Sequence, residues 1–284
     1  MRATTILSMA IGLSFLPASL PAAQKPEKRR TIEVAICLDT SNSMDGLIDS
    51  AKIQLWAIVN DLAKIEPTPT LRVGLYQFGN DGIPKSTGWI RKEVDLTSDL
   101  DELYKHLNGL RTQGGTEYAT RVALQAMKDL KWSQEADALK IVFVCGNEAA
   151  DQDPQTSYEM VGKLAKSQGI LVNTIFCGPA NSSEAIGWKQ LATLANGKYS
   201  NIDQNQAAKA IVIKTPHDEP LLKLGQKLNQ TYVAYGKQGL EKAQNQAMQD
   251  ANALKAAPAG AQSFASALAR TSTKASSLYN NSGW

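Results

Sequence analysis

Val34-Ala35-Ile36-Cys37-Leu38-Asp39-Thr40-Ser41-Asn42-Ser43 is the stretch on which the reading of this chain turns. Its first half is a continuous apolar run, the pattern of a strand covered on both faces. Its second half places a carboxylate and two hydroxyls just before a helical pattern that begins near Met44. In a tight loop, alternate side chains at Asp39, Ser41 and Ser43 converge on one point while those at 40 and 42 turn away. Three oxygens then face one ion, and oxygen-only ligands suit Mg²⁺, Mn²⁺ or Ca²⁺ rather than zinc. Helix capping is the plain alternative for Ser43. The two roles are compatible, and capping alone gives Asp39 and Ser41 nothing to do.

Outward from this stretch, residues 31–38 are the first strand. Residues 44–65 are a helix with Leu47, Ile48, Ala51, Ile53, Leu55, Trp56, Ile58, Val59 and Leu62 at largely helical intervals, stopped by Pro67 and Pro69. Strands follow at 71–78 and, across the turn 79–82, at 89–96. Helices are predicted at 99–107 and 118–130, a strand at 139–145, a helix at 155–167, a strand at 170–177, a helix opened by Ser182 and reaching Ala195, a strand at 198–202 and a helix at 205–213. Strands alternating with helices imply a doubly wound α/β fold, a mostly parallel six-stranded sheet covered on both faces. Such sheets bind ligands at the carboxyl ends of the strands, where the strand order reverses. Asp39 lies at such an end. The loop Gly114-Gly115-Thr116 also leads into a helix, so Thr116 faces the same rim, with N-capping as its alternative role.

Beyond Pro216 the composition turns to Gln, Ala, Asn and Lys. A long helix over 221–254, a break at 256–260 and a weaker helix over 262–279 are expected, forming a helical extension, residues 215–284, that makes a hairpin or lies against the first domain. At the other end, Arg2, the apolar residues 6–16 and the small residues before Gln24 have the order of a secretory signal peptide over residues 1–23. A basic linker at 24–30 follows. The apolar run is shorter than the ~20 residues that span a bilayer, so the mature chain is expected to be exported, periplasmic or extracellular, with no transmembrane segment. The formal net charge of +3 includes the linker cations Lys25, Lys28, Arg29 and Arg30, and makes no basic stripe of the kind nucleic acid requires. Cys37, Cys145 and Cys177 each lie in or close an apolar strand, where cysteine is usually a small core residue. A bridge between Cys145 and Cys177 is the lesser alternative. With two histidines and no paired cysteine spacing, a zinc site is not expected.

Asp39, Ser41 and Ser43 at a strand end, the Gly-Gly-Thr loop ending at Thr116 and the alternation of strands and helices together resemble a von Willebrand factor type A (VWA) domain with a metal-ion-dependent adhesion site (MIDAS), of the bacterial exported type. The resemblance covers about residues 31–214. It implies that Ser41, Ser43 and Thr116 are hydroxyl ligands and that Asp39 binds the ion directly or through water. It also implies a protein partner, whose acidic side chain completes the coordination. One position departs: where the family carries an aspartate after the fourth strand, this chain reads Cys145-Gly146-Asn147-Glu148. Glu148 and Asp151 are the candidates for a supporting carboxylate, and the ordinary reading of both is a solvated loop residue. The loss of a ligand charge is expected to weaken the site, since hard-cation affinity follows ligand charge and rigidity.

Enzyme readings find less material. A phosphoryl-accepting aspartate wants a second acid two residues on, where Ser41 stands, and no G-x-G-x-x-G after the first strand, P-loop or G-x-S-x-G elbow is present. The expectation is therefore a non-enzymatic module that binds a protein through a divalent cation, Mg²⁺ first. A metal-independent scaffold of the same fold and a metal-dependent phosphohydrolase are the alternatives.

Overall fold

The computed structural model describes residues 29–202, 218–255 and 270–271. The signal-peptide reading, most of the linker, the helix expected at 205–213 and nearly all of the weaker helix at 262–279 lie outside these residues. The strands are β1 Thr31–Asp39, β2 Thr70–Phe78, β3 Ile90–Thr97, β4 Leu139–Gly146, β5 Ile170–Cys177 and β6 Tyr199–Ile202. They form one sheet in the order β3-β2-β1-β4-β5-β6, parallel throughout except that β3 runs antiparallel to β2. The helices of this part are α1 Ile48–Ala63, α2 Leu100–Gly109, α3 Ala119–Asp129, α4 Tyr158–Gln168 and α5 Ala185–Leu194.

The apolar run of β1 is explained by its central place. Val34, Ile36 and Leu38 point to one face and pack with Leu55 and Val59 of α1 and Leu103 and Leu107 of α2. Ala35 and Cys37 point to the other, against Val122 and Ala126 of α3, Val161 of α4 and Trp188 of α5. Period-two alternation with both faces covered leaves no polar position inside the strand except Glu33, which is ion-paired to Arg72 at 2.8 Å. Cys145 and Cys177 are buried thiols with their sulfurs 3.3 Å apart, and Cys37 is a third buried thiol.

The extension corrects one expectation. Residues 221–254 are not one helix: α6 Asp218–Gln230 stops, and α7 Gly236–Lys255 starts after a short turn. The backbone N–H groups of Thr231 and Tyr232 donate to the carbonyls of Leu228 and Asn229, tightening and ending the last turn of α6. The reversal brings two polar faces together, with Asn229 donating to Asp250 at 2.6 Å and Gln246 donating to Asn229 at 3.0 Å. Ala253 of α7 joins the core on the α1/α2 face. Arg270 fastens the arrangement: it is 2 % exposed, its guanidinium meets Asp101 of α2 at 2.7 Å and Asp250 of α7 at 2.5 Å, and it lies over the Tyr104 ring. Arg270→Ala takes that guanidinium from two carboxylates and is expected to cost about 3 kcal/mol in urea unfolding followed by tryptophan fluorescence. A loss below about 0.5 kcal/mol would mean that the clamp does not hold the extension. Among the described residues no helix is long and apolar enough to cross a membrane.

Candidate metal centre

The chain reverses its direction of travel across the sheet between β1 and β4, which are hydrogen-bonded neighbours. Asp39 closes β1, and Gly146 closes β4 beside it. Asp39 is 1 % exposed. Its Oδ1 accepts the N–H of Ser41 at 2.8 Å, while its Oδ2 is buried with no hydrogen-bond partner among the described residues. The hydroxyls of Ser41 and Ser43 are 2.8 Å apart. Ser43 donates to the side-chain oxygen of Asn147 at 3.0 Å, and the Asn147 amide returns a bond to the Ser43 carbonyl at 2.9 Å. This reciprocal pair ties the loop after β1 to the loop after β4.

Neither serine caps a helix. The loop makes a single 3-10 turn, Asn42–Met44, with no side-chain cap at Ser41, and α1 begins only at Ile48, behind Leu47. The helix expected from Met44 therefore starts one turn late, because the chain is held by the loop contacts first. Asp45 accepts a hydrogen bond from Thr112.

The Gly-Gly-Thr loop is seated on the same rim. Gln113 N–H donates to the Thr40 carbonyl at 3.0 Å and Asn42 N–H to the Gly114 carbonyl at 3.2 Å. Gly115 has φ +119, and a Cβ built on it would stand 1.7 Å from the Gly79 carbonyl oxygen, so only glycine allows the two backbones to close. Thr116 is half-buried in this loop; the residue preceding α3 is Tyr118, without a side-chain cap, so Thr116 is not a cap either.

One participant was not foreseen. Glu117 is 5 % exposed and accepts a bond from Gln152 at 3.0 Å; the same Gln152 amide donates to Glu148 at 2.9 Å. Glu148 and the Ser41 side chain lie close enough to Glu117 to act on its ionisation. The only sequence sign was an acid directly after Gly-Gly-Thr, which reads equally well as the polar start of a helix. Asp151 stays apart from this group: it is exposed, and its charge bears on the Tyr158 phenol.

The electrostatics follow from the crowding. Burial pushes the Asp39 carboxyl up to about 8, and the charges of Glu117 and Glu148 add to the rise against the opposing Ser41 N–H. Burial, then the contact with Glu148, pushes Glu117 up to about 7. No Lys, Arg or His forms an ion pair with any of the three among the described residues. No three acidic, histidine or cysteine side chains among those residues already stand at metal-ligand spacing around one point. An ion here would draw on hydroxyl oxygens together with carboxylate oxygens. The buried, partnerless Oδ2 of Asp39 and the neighbouring hydroxyls fit a hard divalent cation.

The sequence pattern of the von Willebrand factor type A domain matches residues 33–212. The chain belongs to this family. VWA domains typically bind proteins, and here the match takes in β1, the Gly-Gly-Thr loop and the β4 end. No curated protein matches the chain in sequence. Among solved structures, this VWA chain is similar to proximal thread matrix protein 1 of the mussel byssus, with 12 % identity over 63 % of this chain and 43 % of that chain and a TM-score of 0.46. A form of that mussel protein with a zinc-occupied MIDAS motif gives 13 % identity, 64 % and 44 % coverage and a TM-score of 0.47. The SpRpn10 VWA domain gives 16 %, 61 %, 89 % and 0.44. The chain spans less than half the length of the mussel chains. At this distance nothing of those proteins' chemistry carries over.

Proposed function

We propose that this VWA chain is an exported binding module that engages a protein partner through a divalent cation held by Asp39, Ser41, Ser43 and Thr116. The observation that carries the reading is the Asp39 Oδ2 atom, buried at the strand-order reversal without a partner. A buried carboxylate oxygen in that state is costly unless a proton or a cation meets it, and above the raised pKa a cation is what remains. The two serine hydroxyls beside it are not used for capping. Mg²⁺ is the first choice, and Mn²⁺ or Ca²⁺ take the same oxygens. When bound, the ion supplies a Lewis-acidic position for an oxygen of the partner; the sequence resemblance makes that oxygen an acidic side chain. Binding rather than catalysis is the role proposed, the one typical of VWA domains: the site holds carboxylates, hydroxyls and amides, and no histidine of the described residues stands in it. The one histidine among the described residues, His106, lies instead beside Glu93 at 3.8 Å. Export rests on the N-terminal charge and hydropathy pattern.

The test is retention on immobilised protein. Secreted and cell-surface proteins of the source organism are passed over the column in millimolar Mg²⁺ and eluted with EDTA. A species released by EDTA and absent from a Ser41→Ala/Ser43→Ala column is the expected result. Association that survives both EDTA and the double variant would sink the cation reading in favour of a metal-independent scaffold.

A further inference from the structure

The β4 end cannot contribute an acid of its own. A Cβ built on Gly146 would stand 3.0 Å from Asp39 Oδ2, 3.1 Å from Asp39 Cβ and 3.0 Å from the Trp188 ring. Trp188 is 1 % exposed, and its indole N–H donates to the Glu148 carbonyl at 2.7 Å, so it is not free to withdraw. The side of Asp39 that faces β4 is thus closed to any side chain at position 146.

On the opposite side an acid is already packed. Gly79 has φ +73, and a Cβ built on it would stand 2.8 Å from Asp39 Oδ1 and 2.9 Å from Glu117 Cγ, so only glycine leaves room for the two acids there. Asp39 and Glu117 therefore face one another across Gly79. The seating of Gly115 on the Gly79 carbonyl fixes the chain two residues before Glu117, whose side chain is buried there. Once inside it finds an amide, a hydroxyl and a second carboxylate, and no basic ion-pair partner among the described residues. A buried carboxylate in such company is met by a proton or by a cation.

We propose that Glu117 is a ligand of the cation, supplying from the loop before α3 the carboxylate that Gly146 cannot supply from β4. This rests on the cation reading of the site. Gln152, which donates to both Glu117 and Glu148, acts as the positioning residue that holds the two acids side by side. The centre then carries its negative charge on Asp39 and Glu117, with Glu148 adjacent.

The experiment is Mn²⁺ titration of the whole mature chain, read by the loss of the free-ion paramagnetic resonance signal and, in parallel, by calorimetry with Mg²⁺ and Ca²⁺. Wild type, Asp39→Asn, Glu117→Gln and Glu117→Asp are compared, with near-ultraviolet circular dichroism to confirm that each is folded. Glu117→Gln keeps the side-chain length and an oxygen for Gln152, and is expected to weaken the ion at least about tenfold, since affinity follows ligand charge. Glu117→Asp keeps the charge and is expected to fall between it and wild type. Folded Glu117→Gln that binds as tightly as wild type, while Asp39→Asn does not bind, overturns this proposal and leaves the cation reading standing. Wild type that binds none of the three ions overturns both.

Discussion

Without divalent cations, the protein is expected to lose stability steadily as pH rises from about 4 to about 8, and millimolar Mg²⁺, Mn²⁺ or Ca²⁺ is expected to restore it. The sign follows from proton counting. Asp39 and Glu117 hold their protons in the fold up to about 8 and about 7, whereas in the unfolded chain they release them near the ordinary carboxylate range of about 4. Between those limits the folded state binds more protons than the unfolded one, so stability falls with pH. It is fully present below about 4 and lost as pH passes through the raised values. A divalent cation takes the place of the protons and reverses the slope. Its effect is RT ln(1 + [L]/Kd), about 2.7 kcal/mol at a hundredfold excess over Kd, and grows as the acids ionise. Asp39→Ala is expected to reduce the metal-free slope to the part that Glu117 contributes and to abolish the cation-dependent rise. Thermal unfolding at pH 5, 6.5 and 8, with EDTA or with each ion, gives the answer. A metal-free stability that does not change between pH 5 and 8, or an equal rise in Asp39→Ala, would refute the account.

The second large effect is expected from Gly115→Ala. The new methyl group would lie 1.7 Å from the Gly79 carbonyl oxygen and 2.3 Å from its carbon, and the backbone at position 115 has φ +119. The clash is of backbone on side chain with no rotamer to relieve it. The loop must leave its seat, breaking the bonds from Gln113 to Thr40, from Asn42 to Gly114 and from Asp81 to Gln113. A cost of about 4 kcal/mol or more in urea unfolding is expected, together with loss of Mn²⁺ binding. Gly109→Ala is the control: nothing lies within 4 Å of its Cβ, so the change is expected to be neutral or to add about 0.5 kcal/mol. Equal behaviour of the two variants would mean that the loop is not closed on Gly79 in solution.

How far the site was legible depends on whether a signal was local. The apolar run from Val34 to Leu38 and the oxygens after it are written in consecutive residues, and so is the Gly-Gly-Thr turn. The sheet with its antiparallel β3 followed from period and turn chemistry. Glu117 was not legible, because its direction depends on the docking of Gly115 against Gly79, two segments far apart in sequence. The same holds for Gln152, which reads as a solvated loop residue and in the fold joins two acids. The departure at Gly146 was visible, but its cause, the Trp188 ring standing over it, was not. In the extension, helical spacing was readable but not the turn after Gln230, since the polar pairs Asn229–Asp250 and Gln246–Asn229 that reward the reversal are tertiary.

The place of β1 in the middle of the sheet also sets the order in which the centre can come into being. Ile32 pairs with Leu71 on one side, but on the other it waits for Leu139. Parallel pairing between such distant segments is slow, because loop closure must precede the contacts that reward it. Asp39 is in the chain from the start, yet its neighbours from the Gly-Gly-Thr loop and from the end of β4 are made much later. On the proposed reading, ion binding requires the Gly-Gly-Thr loop and the end of β4 to be in place beside Asp39, so it reports on completed folding rather than on its beginning.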